Sequence, residues 1–280
     1  MQALRLGRTV NFPSNILRSQ KIMKVVPVPV REDNYAYLLI DEPSKKAAAV
    51  DPWDVDKVKA AAEKFGVQLV AGITTHHHHD HSGGNEKFAK TFPSVPMYGG
   101  SNQIPALTDL VKDKDEFKVG DNIHVKCMAT PCHTQDSICF HVTDSTNNNH
   151  PGGVFTGDTL FIGGCGRFFE GNATEMLNAL NYLGTLPSST VVLNGHEYTK
   201  GNLSFAKSIE PDSAGVKKLE ELVQKHEITT GNSTIGDEKE WNPFMRLANP
   251  TVRSSAKVSS GASDSDVMAA LRELKNNFRG

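Results

Sequence analysis

The segment "ITTHHHHDHSGG", Ile73 to Gly84, constrains this chain more than any other. Five histidines and one aspartate occupy positions 76 to 81 without a break. The run is internal and follows the apolar, β-branched "VQLVAGI", so it is not an appended purification tag. At the end of a strand, alternate residues point the same way. His76 and His78 then share one side, and His77 takes the other. A helix starting near "SGGN" puts Asp80 and His81 in its first turn or just before it. The working pattern is H-x-H-x-D-H, with His77 and His79 as fillers. Neutral imidazole and carboxylate are ligands that Zn, Fe and Mn all accept. Four ligands from one short segment do not readily surround a single small ion. They divide more naturally between two ions, each drawing further ligands from elsewhere in the chain.

Three other positions sit where such ligands would be expected, each just after a strand-like run. His133 follows one in "ATPCHT", Asp158 in "VFTGDT" and His196 in "VVLNGHE". A carboxylate such as Asp158 can bridge two cations, because both of its oxygens carry lone pairs. His124, His141, His150 and His226 lack this context and read as surface or structural residues. The four cysteines, Cys127, Cys132, Cys139 and Cys165, are too few for a disulfide framework in 280 residues. They read as small buried hydrophobes in a reducing compartment. No G-x-S-x-G elbow is present, and "IGGCGR" lacks the G-K-[ST] ending of a phosphate-binding loop.

The rest of the chain sets the frame. With 38% hydrophobic residues and a formal charge of −2, it can build a large core and offers no general attraction for nucleic acid. No apolar run is long enough to span a bilayer. Residues 1–22 differ in character: Arg5, Arg8, Arg18 and Lys21 are basic, and no acid precedes Glu32. That composition suits a mitochondrial transit segment or a basic tail, and Met23 could serve as a second start for a cytosolic form. From Met23 to about His196, strand-like runs alternate with helical ones such as "VDKVKAAAEKFG", stopped by Gly66, and "ATEMLNALNYLG". This predicts a sheet-rich α/β layered domain over residues 23–197. Beyond it "NLSFAKSI", "SAGVKKLEELVQKHE" and "DSDVMAALRELKNNF" have helical period. They predict a small helical domain over 198–280, with a polar loop around "TTGNSTIGDEKEWNP".

"THHHHDH", "TPCHT", "FTGDTLF" and "NGHEYT" stand in the order and approximate spacing of the metallo-β-lactamase superfamily. Through "GCGRFFEG", "NGHEYT" and the helical tail the chain more narrowly resembles the glyoxalase II, or hydroxyacylglutathione hydrolase, family. The resemblance runs from Met23 nearly to the end. It implies an αββα sandwich with the site at one edge between two sheets, followed by the helical domain. It implies two divalent ions per chain, Zn foremost, with Fe or Mn as alternatives. His76, His78 and His133 would hold one ion, Asp80, His81 and His196 the other, and Asp158 and a hydroxide would bridge them. Asp80 and Asp158 would also orient the hydroxide.

The same resemblance implies that the glutathione moiety meets Arg167, Phe168 and Phe169 on one loop, His196, Glu197 and Tyr198 on a second, and Arg272 and Lys275 on the last helix. The last two are three residues apart and share a helical face, and two cations suit a peptide carboxylate. Phe169 stands where some members carry tyrosine, and Asp136 where others carry a smaller neutral residue. The implied reaction is hydrolysis of S-(2-hydroxyacyl)glutathione, chiefly S-D-lactoylglutathione, to glutathione and D-lactate, the second step of methylglyoxal detoxification. The expected form is a monomer in the mitochondrial matrix or cytoplasm, with no nucleic-acid or membrane partner. Two other readings stand beside it: a glutathione persulfide dioxygenase with a single iron, and a non-catalytic metal-dependent binding module.

Overall fold

Alternation in "YAYLLI" decides the order of the layers, because both faces of that strand are buried. The computed structural model describes residues 23–147 and 150–280, so the transit-segment reading of residues 1–22 lies outside the described residues. Six strands form the first sheet in chain order: β1 Met23–Pro29, β2 Tyr35–Asp41, β3 Lys46–Val50, β4 Gln68–Ile73, β5 Met97–Gly99 and β6 Asp109–Leu110. β2 runs antiparallel to both β1 and β3, and β3 to β6 run parallel. Pro27 and Pro29 fall on β1, at the edge of the sheet, where a missing N–H costs no ladder bond. The remaining strands are β7 Glu116–Val119, β8 Ile123–Ala129, β9 Ile138–Asp144, β10 Gly153–Gly157, β11 Leu160–Phe161, β12 Gly164–Cys165 and β13 Val191–Asn194. The second sheet has the order β13-β10-β9-β8-β7, and β11 and β12 pair as a small hairpin.

Tyr35, Tyr37 and Leu39 of β2 face the second sheet and pack with Val125, Phe140 and Phe155. Ala36, Leu38 and Ile40 face the other way, onto α1 (Val55–Phe65) and α3 (Asn85–Thr91) through Val58, Ala62 and Phe88. The far face of the second sheet presents Met128, Cys139, Val154 and Val192 to α4 (Ala173–Leu183) and the C-terminal helices. The result is an αββα sandwich. Between α1 and α3 lies the short α2 (His79–Ser82), and the C-terminal region contains α5 Thr199–Ile209, α6 Ala214–Lys225, α7 Ile235–Trp241, α8 Pro250–Ser255 and α9 Asp264–Asn277. Among the described residues, no helix is long and apolar enough to cross a membrane.

Local signals explain where the expectations hold and where they fail. Gly66 ends α1 in the left-handed region at φ 62, as a glycine stop should. The polar loop expected around "TTGNSTIGDEKEWNP" contains α7. There Thr234 accepts from the Asp237 N–H and Asp237 accepts from the Thr234 N–H, a reciprocal cap that offsets a polar sequence. All four cysteines are buried and unpaired.

Candidate metal centre

Every residue proposed as a ligand sits just beyond a strand at one end of the sandwich. The histidine run follows β4, His133 lies between β8 and β9, Asp158 follows β10 and His196 follows β13. The chain leaves β4 at Ile73, three residues earlier than a strand reaching His76 would require. His78 is the N-cap of α2, so loop and cap, not strand pleating, turn His76 and His78 toward each other. His76 Nε2 is 3.2 Å from His78 Nδ1, which is 3.0 Å from His133 Nε2. His81 Nε2 is 3.2 Å from His196 Nε2, and Asp80 Oδ2 lies 3.4 Å from the latter. Asp158 stands between the two groups, with Oδ2 at 3.5 Å from His133 and 3.3 Å from His196, and Oδ1 at 3.2 Å from His81. The backbone gives it room: a Cβ on Gly195 would fall 2.6 Å from Asp158 Oδ1.

Hydrogen bonding fixes the proton on Nδ1 in four of the five rings, those of His76, His81, His133 and His196. His133 Nδ1 is 3.0 Å from the Arg167 carbonyl oxygen, which can only accept, so that nitrogen carries the proton. His81 Nδ1 donates to Asp51 and His196 Nδ1 to Asp33, each at 2.9 Å. The Thr75 hydroxyl spends its hydrogen on Asp51 Oδ2, so at 3.1 Å it accepts from His76 Nδ1. The Nε2 atoms of His76 and His133 therefore turn lone pairs inward, and those of His81 and His196 face one another and the carboxylate oxygens of Asp80 and Asp158. Asp158 Oδ1 is buried, and among the described residues no group donates to it with hydrogen-bond geometry. Among the described residues, three triads of ligand atoms are grouped closely enough to share a cation: His76, His78 and His133; Asp80, His81 and His196; and, between them, His76, His81 and Asp158. The donor set fits two divalent ions.

Electrostatics differ between the two triads. Burial holds His76, His78 and His133 below the ordinary imidazole range, so they are neutral, as ligands must be. Burial alone would also lower His81 and His196. Asp158 outweighs it, helped by Asp51 at His81 and Asp80 at His196, and in the metal-free protein His196 rises to about 10. To hold a cation, His81 and His196 would have to give up those protons. Burial pushes Asp158 up, but His81 and His196 more than compensate and keep it ionised.

Asp33, Asn34 and Asp51 are the functional residues that sequence reasoning missed. Asn34 Nδ2 donates to Asp80 Oδ2 at 3.0 Å and so orients that ligand. Asp51 also accepts from the Thr75 N–H at 2.8 Å and sits at φ 46, a left-handed conformation that aspartate tolerates better than most residues. These partners lie 30 to 163 residues from the rings and ligands they support, and no local spacing rule could have found them.

Beside the ligands opens a cleft of about 550 Å3, lined by Phe161, Arg167, Phe169, Tyr198, Arg272 and Lys275 among others. Phe169 is 61% exposed and stands edge-on to His78 and His133. The Tyr198 ring stacks on His196 at 4.6 Å. Arg272 is buried and donates to the Cys165 carbonyl at 3.0 Å, and Lys275 donates to the Gly201 carbonyl at 2.8 Å. Burial first, and Arg272 second, pull the Lys275 ammonium down to about 8. Phe168 turns the other way and packs on the core. Glu197 borders the cleft, but its carboxylate is engaged by Tyr35 Oη at 2.7 Å and the Thr229 hydroxyl at 2.6 Å. A larger cavity of about 880 Å3 lies around Met23, Tyr37 and Val191, away from the ligands.

Comparison with known proteins agrees with this arrangement. Residues 34–196 match the metallo-beta-lactamase superfamily model, and residues 197–278 match the model described as hydroxyacylglutathione hydrolase C-terminus. The chain is 42% identical to the cytoplasmic hydroxyacylglutathione hydrolase of Arabidopsis thaliana, over 92% of this chain and 100% of that one. It is 46% identical to the probable hydroxyacylglutathione hydrolase glo2 of Schizosaccharomyces pombe, over 87% of this chain and 93% of that one. Among solved structures, ETHE1 from Myxococcus xanthus superposes with a TM-score of 0.63 at 24% identity, covering 91% of this chain and 90% of that one, a likeness of fold.

Proposed function

The chain belongs to the metallo-β-lactamase superfamily and, within it, to the hydroxyacylglutathione hydrolases, and from that premise we propose that it hydrolyses S-(2-hydroxyacyl)glutathione, chiefly S-D-lactoylglutathione, to glutathione and D-lactate. The observation that carries the proposal is the set of ligand atoms of His76, His78, His133, Asp80, His81, His196 and Asp158 gathered at one place, opening onto a cleft with three cations, Arg167, Arg272 and Lys275. Zn, Fe and Mn all suit those ligands. Divalent ions held there would lower the pKa of coordinated water toward about 7 and polarise a carbonyl.

The side chains supply the rest. Asp80 and Asp158 accept hydrogen bonds and would orient the attacking water toward the thioester carbon. Arg272 and Lys275 pair with carboxylates of the glutathione moiety, with Arg167 and the Tyr198 hydroxyl at the rim of the cleft. Phe169 shields His78 and His133 from bulk water. A departing thiolate needs no strong general acid, since free thiols ionise near pH ~8.5. The chain's own thiols are no rival nucleophiles, because burial pushes Cys127 and Cys132 up to about 12 and Cys139 and Cys165 to about 11. We infer a monomer acting in the second step of methylglyoxal detoxification, in the mitochondrial matrix or the cytoplasm. The basic composition of residues 1–22 supports the former location.

An oxygen electrode separates this activity from a persulfide dioxygenase. With S-D-lactoylglutathione the protein should release glutathione and D-lactate without consuming oxygen. Oxygen uptake with glutathione persulfide, and an intact thioester, would overturn the proposal.

A further inference from the structure

His77 falls between two ligands, and its ring is firmly engaged on the side away from them. Its Nδ1 lies 3.0 Å from Asp136 Oδ1. Asp136 is buried and also accepts from the Thr134 hydroxyl at 2.7 Å and the Ser101 hydroxyl at 2.9 Å. Burial pushes its carboxyl up, but these donors outweigh burial and keep it ionised. An ionised carboxylate only accepts, so His77 donates from Nδ1. On the other edge of the ring, Nε2 is 3.6 Å from Glu170 Oε1, and Glu170 Oε2 accepts from the Gln135 N–H at 2.7 Å.

The pair thus ties together three loops. His77 joins the peptide linking His76 to His78. Asp136 and Thr134 lie on the loop that delivers His133. Glu170 closes the loop carrying Arg167 and Phe169. This contact joins the His76–His78 segment to the loop of His133 from behind, beside the ring bonds of His76 to Thr75 and of His133 to the Arg167 carbonyl. The Asp80, His81 and His196 group is held instead by Asn34, Asp51 and Asp33. We propose that His77 and Asp136 form a positioning pair that sets the affinity of the His76–His78–His133 group for its ion and leaves the Asp80–His81–His196 group unaffected. This rests on the two-ion proposal above.

Titration of the metal-free full chain with Co2+ against a competing chelator tests it. Wild type should bind two equivalents. His77→Ala and Asp136→Ala should each keep one ion at wild-type affinity and weaken the other about tenfold or more. The double variant should be no worse than Asp136→Ala, which removes both the ring contact and the 3.5 Å bond from the His77 N–H. His77→Asn should restore wild-type binding, since its amide nitrogen stands two bonds from Cβ, as Nδ1 does. If Asp136→Ala fails to fold, His77→Ala and His77→Asn carry the test without emptying the Asp136 site. Unchanged affinities in the alanine variants, or equal weakening of both ions, would overturn the inference. Wild type binding fewer than two ions would instead overturn the two-ion proposal.

Discussion

At the scale of single residues, the density of imidazole made the candidate ligands legible. Six consecutive histidine and aspartate positions have few uses other than metal binding. Their supports were not legible, because Asp33, Asn34 and Asp51 reach the centre only through the fold. Nor did sequence reveal that His77 has partners of its own. Lys275 offers a test at this scale. Its ammonium is pulled down to about 8, so it is cationic at neutral pH and loses its charge as pH rises through that value. The KM for the glutathione thioester should therefore rise about tenfold between pH 7 and 9, the worth of one charge-assisted hydrogen bond. Lys275→Arg should hold KM flat over the same range, since guanidinium keeps its proton. A flat wild-type profile would remove Lys275 from substrate binding.

At the scale of elements, long helices announced themselves through period and caps, and short pieces did not. The strands β11 and β12 have two residues each, too few to display alternation. Helix α7 was hidden in a polar stretch because its reciprocal cap involves side chains that also favour loops. Both matter, since α7 grips the β11–β12 hairpin that leads into the substrate loop. The Glu238 carboxylate on α7 is fully buried. It accepts from the Gly163 N–H at 2.9 Å, from the Asn242 amide and Trp241 indole at 3.0 Å, and from the Ser233 hydroxyl. Glu238→Ala strands four donors, and at ~1–3 kcal/mol for each unsatisfied group it should cost about 3 kcal/mol or more in urea unfolding. Burial raises this carboxyl from 4.5 to about 7 despite its donors. The folded chain then holds the proton more tightly than the unfolded one. The group's contribution to stability is complete below pH 4.5 and is lost as pH rises through 7. Wild type should lose stability between pH 5 and 7 relative to Glu238→Gln, and parallel pH profiles would contradict this.

At the scale of the whole molecule, sequence separates a layered α/β region from a helical tail, but the structure joins them through one core. Val154, Leu160 and Val192 from the sheet region pack in the same cluster as Ile235, Phe244 and Leu271 from the tail. The tail also supplies Arg272 and Lys275 to a cleft whose other wall includes the candidate ligands His133 and Asp158. Hydrophobic period marks which face of a helix is buried, not which layer it is buried against, and that is why this union was not readable beforehand. Thioester hydrolysis by this protein should therefore require both the ions and the complete chain. The most direct test follows loss of S-D-lactoylglutathione thioester absorbance while metal is returned to the chelated protein. Hydrolysis should be absent in the metal-free protein and should recover as divalent ion is added, reaching its full rate only at two equivalents per chain. Full hydrolysis without metal, or none at any loading, would contradict the two-metal thioester hydrolase described here.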